Sequence, residues 1–326
     1  MTDIVVDADS AQVRLDRILR KRLALTSLSD IYRLIRTGSI KVNGRKRKEN
    51  YRLQEGDIIS VPLPDAEVVA ANKSDHSLAR LADTDYFRKN FQLVFEDEHL
   101  LVCNKPANVV VHSGTGHGRK DTLIDLATAY LVKNRKKNEY PDPALVHRLD
   151  KDTSGVILIA KDKTTLRFLH TKLRERDIDK RYIAFCHGRP EKRKGVIEAG
   201  LIRNHQQRDG TKITVSSQGQ KARSIYECTG YHNGISRVEI RLETGRTHQI
   251  RVHMAHIGCP IVGDIRYGDV SLDDHLFGRQ GIQKRLYLHA RQISFFHSYL
   301  NREVTFATPE PESFTRLWKT LSSQLR

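Results

Sequence analysis

Nine consecutive residues carry the strongest chemical signal in the chain: His147-Arg148-Leu149-Asp150-Lys151-Asp152-Thr153-Ser154-Gly155. The apolar run Val156 to Ala160 follows at once, short and rich in β-branched residues, and it reads as a buried strand. The charged residues therefore sit on a loop at the mouth of a core strand, a place from which a rigid scaffold commonly presents catalytic groups. A solvated turn with local ion pairs would satisfy the same pattern. Calcium chemistry fails: Asp150, Asp152, Ser154 and Gly155 match the first, third, fifth and sixth positions of an EF-hand loop, but the twelfth, which should be a bidentate Glu, is Lys161. A kinase catalytic loop fails too, since no Asn follows at the proper offset and no Gly-rich phosphate loop precedes it. The cluster Ser113-Gly114-Thr115-Gly116-His117-Gly118-Arg119-Lys120 fits neither GxGxxG nor GxxxxGK[ST].

A second stretch with chemical content is Gly245-Arg246-Thr247-His248-Gln249-Ile250-Arg251-Val252-His253. Thr247 can cap a helix whose Ile250, Met254 and Ile257 recur at i, i+4 and i+7, with Gly258 as the stop and Pro260 beyond. A helix start carrying Arg246 and Arg251 suits an anion. Taken alone, a helix with surface arginines would serve as well. His253 and His256 have metal-like spacing but no nearby carboxylate, so core or RNA-facing histidines are the expectation.

Composition limits what such groups could act on. A chain of 326 residues with 38% hydrophobic and 29% charged residues allows two domains and a sizeable core. Lys and Arg number 56 against 39 Asp and Glu, a net charge of +17 that implies a polyanionic partner. The longest apolar runs are far below a spanning length, so nucleic acid is favoured over a membrane. The first ten residues carry three Asp and no Lys or Arg, unlike a signal or transit peptide. Cys103, Cys186, Cys228 and Cys259 are scattered without a CxxC pair, which argues against a zinc ribbon or disulfide framework and suits a reducing, cytoplasmic setting.

The elements that must position these groups can be read in order. Residues 13–38 read as two short helices, with Leu15, Ile18, Leu19 and Leu23 on the first. The second has Ser29 as N-cap, Ile31, Leu34 and Ile35 as its stripe, and Gly38 as its stop. Asn43-Gly44 marks a hairpin turn, and Gln54-Glu55-Gly56-Asp57 turns into a strand from Ile58 to Val61. Residues 14–52 hold 13 Lys/Arg and three acids, a net of +10 spread over two helices and a hairpin. That spread favours a phosphate-binding surface over one solvated helix face, with Arg14, Arg33, Arg36, Lys41, Arg45 and Lys46 as its candidates. Residues 1–64 form this domain, and residues 65–90, polar and aperiodic, suit a linker. From residue 91 to 326 the pattern is that of a mixed sheet domain. It has two strands joined by an acidic turn between Leu93 and Pro106, a helix from Asp121 to Leu131, and a charged loop over 134–142. After the core strand come a basic helix from Thr164 to Glu175 and a strand opened by Lys180-Arg181-Tyr182.

The His147–Gly155 stretch resembles the signature of the RluA/RluC/RluD family of RNA pseudouridine synthases, in which the Asp after Leu is the catalytic carboxylate. The entry Asp97 to Pro106, Lys180-Arg181-Tyr182, Gly245 to His253 and Leu286 to Ala290 resemble further stretches of the same family. Gly219 to Ser224 does so with Ser224 in place of the usual Thr. Arg266-Tyr267-Gly268-Asp269 is most like the RluC branch. Residues 14–45 resemble the small RNA-binding domain named after ribosomal protein S-four, with Ile18 where Leu is usual. Together the resemblance covers residues 13–318.

It implies an α+β fold: a small basic α/β RNA-binding domain, then a mixed, mainly antiparallel β-sheet catalytic domain with flanking helices and a central cleft. It also implies roles. Asp150 is the catalytic carboxylate, Tyr182 stacks on the target base, Arg148 is the wedge that replaces the extruded nucleotide, and Arg251, ahead of Arg246, keeps Asp150 ionised. Pseudouridine formation breaks the uracil N1–C1′ bond, rotates the base and rejoins it through C5. As an isomerisation it demands no cofactor and no metal. Asp150 could attack the sugar, add to the base or abstract a sugar proton. A glycoside hydrolase would need two carboxylates, and Asp152, the close partner, has no fixed direction on an extended loop. The implied substrate is 23S ribosomal RNA, free or in the assembling large subunit, at several uridines, with the protein a monomer. Rival readings are a synthase acting on transfer RNA, a non-catalytic RNA-binding or ribosome-assembly protein, and an RNA N-glycosidase.

Overall fold

The computed structural model describes residues 2–7, 10–23, 28–62, 80–112, 121–134, 143–204, 212–278 and 282–323. The Gly cluster at 113–120 and most of the charged loop over 134–142 lie outside them. The chain divides into two compact units, Met1–Asp83 and Thr84–Arg326.

The first unit contains β1 (Thr2–Val5), α1 (Leu15–Arg22), α2 (Leu28–Thr37), β2 (Lys41–Val42) and β3 (Ile58–Val61). Its three strands pair antiparallel in the order β1-β3-β2. The acidic start of the chain is thus a strand, an element that its charge count hid. Asn43 and Gly44 both have positive φ, 51° and 69°, the geometry of a type I′ turn, and Val42 and Arg45 exchange backbone hydrogen bonds across it. Leu15 and Leu19 of α1 and Ile31 and Ile35 of α2 meet Val42 and Ile59 in one aliphatic core. The helix α2 begins at Leu28, so Ser29 lies inside it and is not the cap.

The second unit opens with α3 (Asp85–Asn90), which falls within the stretch expected to be linker. Thr84 caps it by accepting the Phe87 N–H, and Phe91 packs between Phe87 and Tyr130. A six-residue helix is too short to show an apolar period, which is why the stretch reads as linker. After α3 come β4 (Leu93–Glu96), β5 (Leu100–Lys105), α4 (Leu123–Asn134), β6 (Ala144–Leu145), β7 (Ser154–Ala160), α5 (Lys163–Glu175) and β8 (Asp179–His187). The chain continues with β9 (Lys194–Asn204), β10 (Lys212–Val215), β11 (Gln220–His232), β12 (Ile235–Leu242), α6 (Gln249–His256), α7 (Val270–Phe277), β13 (Leu288–His297), β14 (Arg302–Ala307) and α8 (Glu312–Ser323). The strands form one mixed sheet of order β10-β9-β11-β12-β8-β13-β7-β5-β4, with β14 on β13 and β6 on β7.

Among the described residues every pairing in this sheet but one is antiparallel; the exception joins β13 to β7 at the centre. There Ala290 stands opposite Gly155. Gly155 has φ +120°, and a Cβ on it would overlap the Ala290 carbonyl. Glycine is therefore required where the loop becomes strand. All seven residues of β7 are buried, so the loop ahead of it is anchored in the core.

Candidate active site

The loop 148–153 is held from both sides. Leu149 is buried, and the Thr153 N–H donates to the Asp150 carbonyl. The ammonium of Lys105, at the end of β5, donates to the carbonyls of Pro106, Val109 and Lys151 at 2.8–2.9 Å. Burial pulls the Lys105 pKa down to about 7, with Asp152 and Asp150 acting against that shift. Lys105 lies in the Asp97 to Pro106 stretch that carries the resemblance, but its residue pattern alone marks it only as a strand end before Pro106.

Asp150 projects into a cleft of about 530 Å³ in the second unit. The guanidinium of Arg251 donates from Nη1 to Asp150 Oδ2 at 3.2 Å. Its Nε and Nη2 donate to the two oxygens of Asp264, both at 2.7 Å. Arg251 is 6% exposed and the Asp264 side chain is fully buried, whereas that of Asp150 remains 28% exposed. Burial pushes the Asp264 carboxyl upward, but Arg251 and the N–H groups of Arg266 and Tyr267 outweigh it and hold the group below its ordinary value. Burial likewise works against the Arg251 charge, and the two carboxylates more than restore it. A fork-to-fork pair of this kind fixes the guanidinium plane. The third arm of Arg251 is then aimed at Asp150 without a search over rotamers.

Thr247 is not the cap of the helix that supplies Arg251. The cap is His248, in the left-handed region at φ 55°, and its side chain makes no capping bond to the helix. Gln249 closes the turn instead, its Oε1 accepting from the Arg246 N–H and the Thr244 hydroxyl. The whole stretch from Gln249 to Met254 is buried, including Arg251 and His253, so the helix has no exposed face in its first turns. Of the two arginines expected to make an anion site at this helix start, Arg251 is taken by the protein's own carboxylates Asp264 and Asp150, while Arg246 stays exposed. His256, by contrast, is exposed.

Tyr182 lines the same cleft from β8 and is 7% exposed; burial, then the nearby Asp150 charge, pushes its hydroxyl pKa upward. Arg148 and Arg246 are exposed at the cleft, which Arg174, Arg176 and Lys180 also line. Against these cations the cleft wall has two acids, Asp150 and Glu243, and Glu243 is paired with Arg223. Asp152 is not part of that wall, so it is not the second carboxylate beside Asp150 that a glycoside hydrolase would need. The structure thus brings Asp150, Tyr182, Arg251, Arg148 and Arg246 into one basic cleft. Sequence reasoning missed Asp264, Lys180 and Tyr267. Asp264 and Tyr267 lie in or beside the Arg266–Asp269 stretch, whose resemblance was the available signal.

In the first unit Arg33, Arg36, Lys41, Arg45 and Lys46 are exposed. Arg14, also exposed, makes a two-pronged pair with the buried Asp16, which also accepts from the Tyr32 hydroxyl. Among the described residues no helix is long and apolar enough to cross a membrane.

With this geometry in hand, comparison with known proteins is direct. Residues 99–256 match the family model described as RNA pseudouridylate synthase, and residues 13–59 match the S4 domain. The chain is 34% identical over 321 residues to ribosomal large subunit pseudouridine synthase C of Buchnera aphidicola, covering 98% of this chain and 96% of that protein. It is 34% identical over 316 residues to the protein of the same name from Escherichia coli K12, covering 96% and 94%. Among solved structures it resembles human RNA pseudouridylate synthase domain containing 1, at 27% identity and a TM-score of 0.53, covering 68% of this chain and 84% of that one.

Proposed function

Because the chain belongs to the RNA pseudouridylate synthase family, we propose that it isomerises uridines of 23S ribosomal RNA, with Asp150 as the carboxylate of the chemistry. The single observation that supports this assignment best is the chain of contacts Asp264–Arg251–Asp150. A carboxylate that must act in a water-poor pocket needs a fixed opposite charge beside it to remain an anion. Here the cation is itself clamped by a second, buried carboxylate, so the reacting group is oriented before the RNA arrives.

The reaction is an isomerisation within one nucleotide. The N1–C1′ bond breaks against the Asp150 anion, the uracil turns, C5 bonds to C1′, and the proton that leaves C5 is balanced by one gained at N1. Reaching the bond requires the nucleotide to leave its stack, at a cost of roughly a few kcal/mol. In this reading Tyr182 offers the base an aromatic face and Arg148 fills the vacated place. Arg246 and the other cations of the cleft rim take the flanking phosphates. Residues 1–64 supply further affinity through exposed cations, a division that suits a large structured RNA better than a small hairpin. Recognition by phosphates and shape, with little base readout, is compatible with several target uridines. The protein acts as a monomer and without a cofactor.

Asp150→Asn and Asp150→Ala test the assignment. Both are expected to abolish pseudouridine formation on unmodified 23S RNA while RNA affinity changes little. Substantial turnover by either variant would remove Asp150 from the role. The substrate is tested by offering the protein unmodified protein-free 23S RNA, mature large subunits and transfer RNA. Free 23S RNA is expected to be modified best, and modification of transfer RNA alone would redirect the assignment.

A further inference from the structure

Tyr267 and His248 make a contact that the chemistry above leaves unused. The His248 ring lines the cleft, with Nε2 3.8 Å from Asp150 Oδ2 and Nδ1 2.8 Å from the Tyr267 hydroxyl. That hydroxyl already accepts the backbone N–H of Ile213 at 3.0 Å. A phenol has one proton to give. Burial keeps Tyr267 protonated by raising its pKa, and the imidazole nitrogen is the acceptor within reach. An imidazole whose Nδ1 accepts carries its own proton on Nε2 while it is neutral.

Several charges bear on whether His248 is neutral. Burial lowers its pKa first, Arg251 and Arg266 push the same way, and Asp150 and Asp264 oppose them. The net direction is downward, so the ring is uncharged at neutral pH. Its Nε2–H then faces the same oxygen of Asp150 that Arg251 binds. At 3.8 Å this is beyond a hydrogen bond, but catalytic contacts in ligand-free sites are commonly long and tighten when substrate fills the cleft.

We propose that His248 is a positioning residue for the isomerisation: a neutral imidazole locked by Tyr267 as the Nε2–H tautomer, which joins Arg251 on Oδ2 of Asp150 and leaves Oδ1 to face the uridine. The proposal rests on the reading of Asp150 as the reacting carboxylate. It assigns His248 the part of a donor, never of a base. It also gives Tyr267 two separable tasks. Its ring lies over the Arg251 guanidinium at 5.1 Å, and its hydroxyl sets the histidine proton. Tyr267→Phe removes the second task and keeps the first.

The experiment combines a spectroscopic and a kinetic readout on the full chain. Imidazole nitrogen NMR of the protein labelled in histidine, with His248 assigned by its disappearance in His248→Asn, is expected to show Nε2 protonated and Nδ1 bare at neutral pH. Asn is chosen because it tolerates the left-handed backbone of residue 248. Tyr267→Phe is expected to abolish that tautomer preference. Single-turnover rates on unmodified 23S RNA should fall roughly 10–100-fold in Tyr267→Phe and His248→Asn, about the worth of one hydrogen bond to a charged group, with RNA affinity unchanged. A proton on Nδ1 in the parent protein overturns the proposal. So does a Tyr267→Phe variant that keeps both tautomer and rate. Turnover by Asp150→Asn would defeat the reading of Asp150, a result distinct from a wrong tautomer.

Discussion

The exposed cations of the first unit and Arg251 of the second use positive charge in opposite ways. In Met1–Asp83 the cations at 33, 36, 41, 45 and 46 stand on the surface over a purely aliphatic core cluster. In Thr84–Arg326 the arginine that matters most is 6% exposed and is held by a carboxylate that is fully buried. Exposed cations gain from phosphate contacts additively and at little cost to the fold, which suits affinity. A buried cation is costly unless it is paired and hydrogen-bonded, and once paired it has no freedom left. That immobility is what orienting a reacting carboxylate requires. The difference teaches that binding and chemistry ask for the same residue type at opposite extremes of burial.

The comparison is broken most directly at Asp264. Asp264→Ala would leave Arg251 buried without its main partner, and loss of one member of a buried pair costs about 3–5 kcal/mol. Urea unfolding followed by the fluorescence of Trp318, the one tryptophan of the chain, reports this, since Trp318 packs on Phe185 in the second unit. A loss below about 1 kcal/mol would mean that the pair is not buried in solution.

A smaller effect, taken per pH unit, comes from histidines that the second unit keeps neutral. Burial holds His289 at about 4, with Arg285 and Arg291 adding to it and the Thr308 contact opposing. Burial also holds His253 at about 4, with His256 adding and a bond to Ala199 opposing. Between pH 6.5 and 4 the unfolded chain takes up these protons and the folded one does not, so stability rises with pH across that window. Stability of the second unit should therefore fall on acidification from about 6.5 toward 4, by up to about 1.4 kcal/mol per pH unit for each histidine. His289→Gln should flatten the Trp318-monitored slope; an unchanged slope would show that the ring is solvated.

The smallest structural effect, and the sharpest test of the other half of the comparison, is expected in the first unit. Neutralising Arg36, Lys41 and Arg45 together should change stability by no more than about 0.5 kcal/mol per site. For every phosphate that these side chains no longer neutralise, the log–log salt slope of RNA binding should fall by roughly 0.7–0.9. The rate of isomerisation on bound RNA should stay the same. An unaltered salt slope would mean that this face does not meet RNA.

What was legible in the sequence follows from local physics. The core strand Val156 to Ala160, the Asn43-Gly44 turn and the helix stop at Gly258 each depend on backbone conformation and apolar spacing within a few residues. Such features survive in a linear pattern. The six-residue helix at 85–90 was not legible, because a cap and an aromatic pair leave little periodic trace. At the helix of residues 249–256 the pattern read Thr247 as cap, while the tertiary structure closes the turn with the buried side chain of Gln249.

The sequence by itself determined that Asp150 lies on a loop before a buried strand, that cations abound, and, through resemblance, which residues to watch. Only the tertiary structure decided who meets whom. Arg251 reaches Asp150 across 101 positions of sequence, and Asp264 reaches Arg251 from a loop beyond the helix. Side-chain type and spacing carry the preferences of each segment for its own backbone. They carry no record of which buried charge will face it once the sheet has closed, and a paired buried charge exists only in that closure.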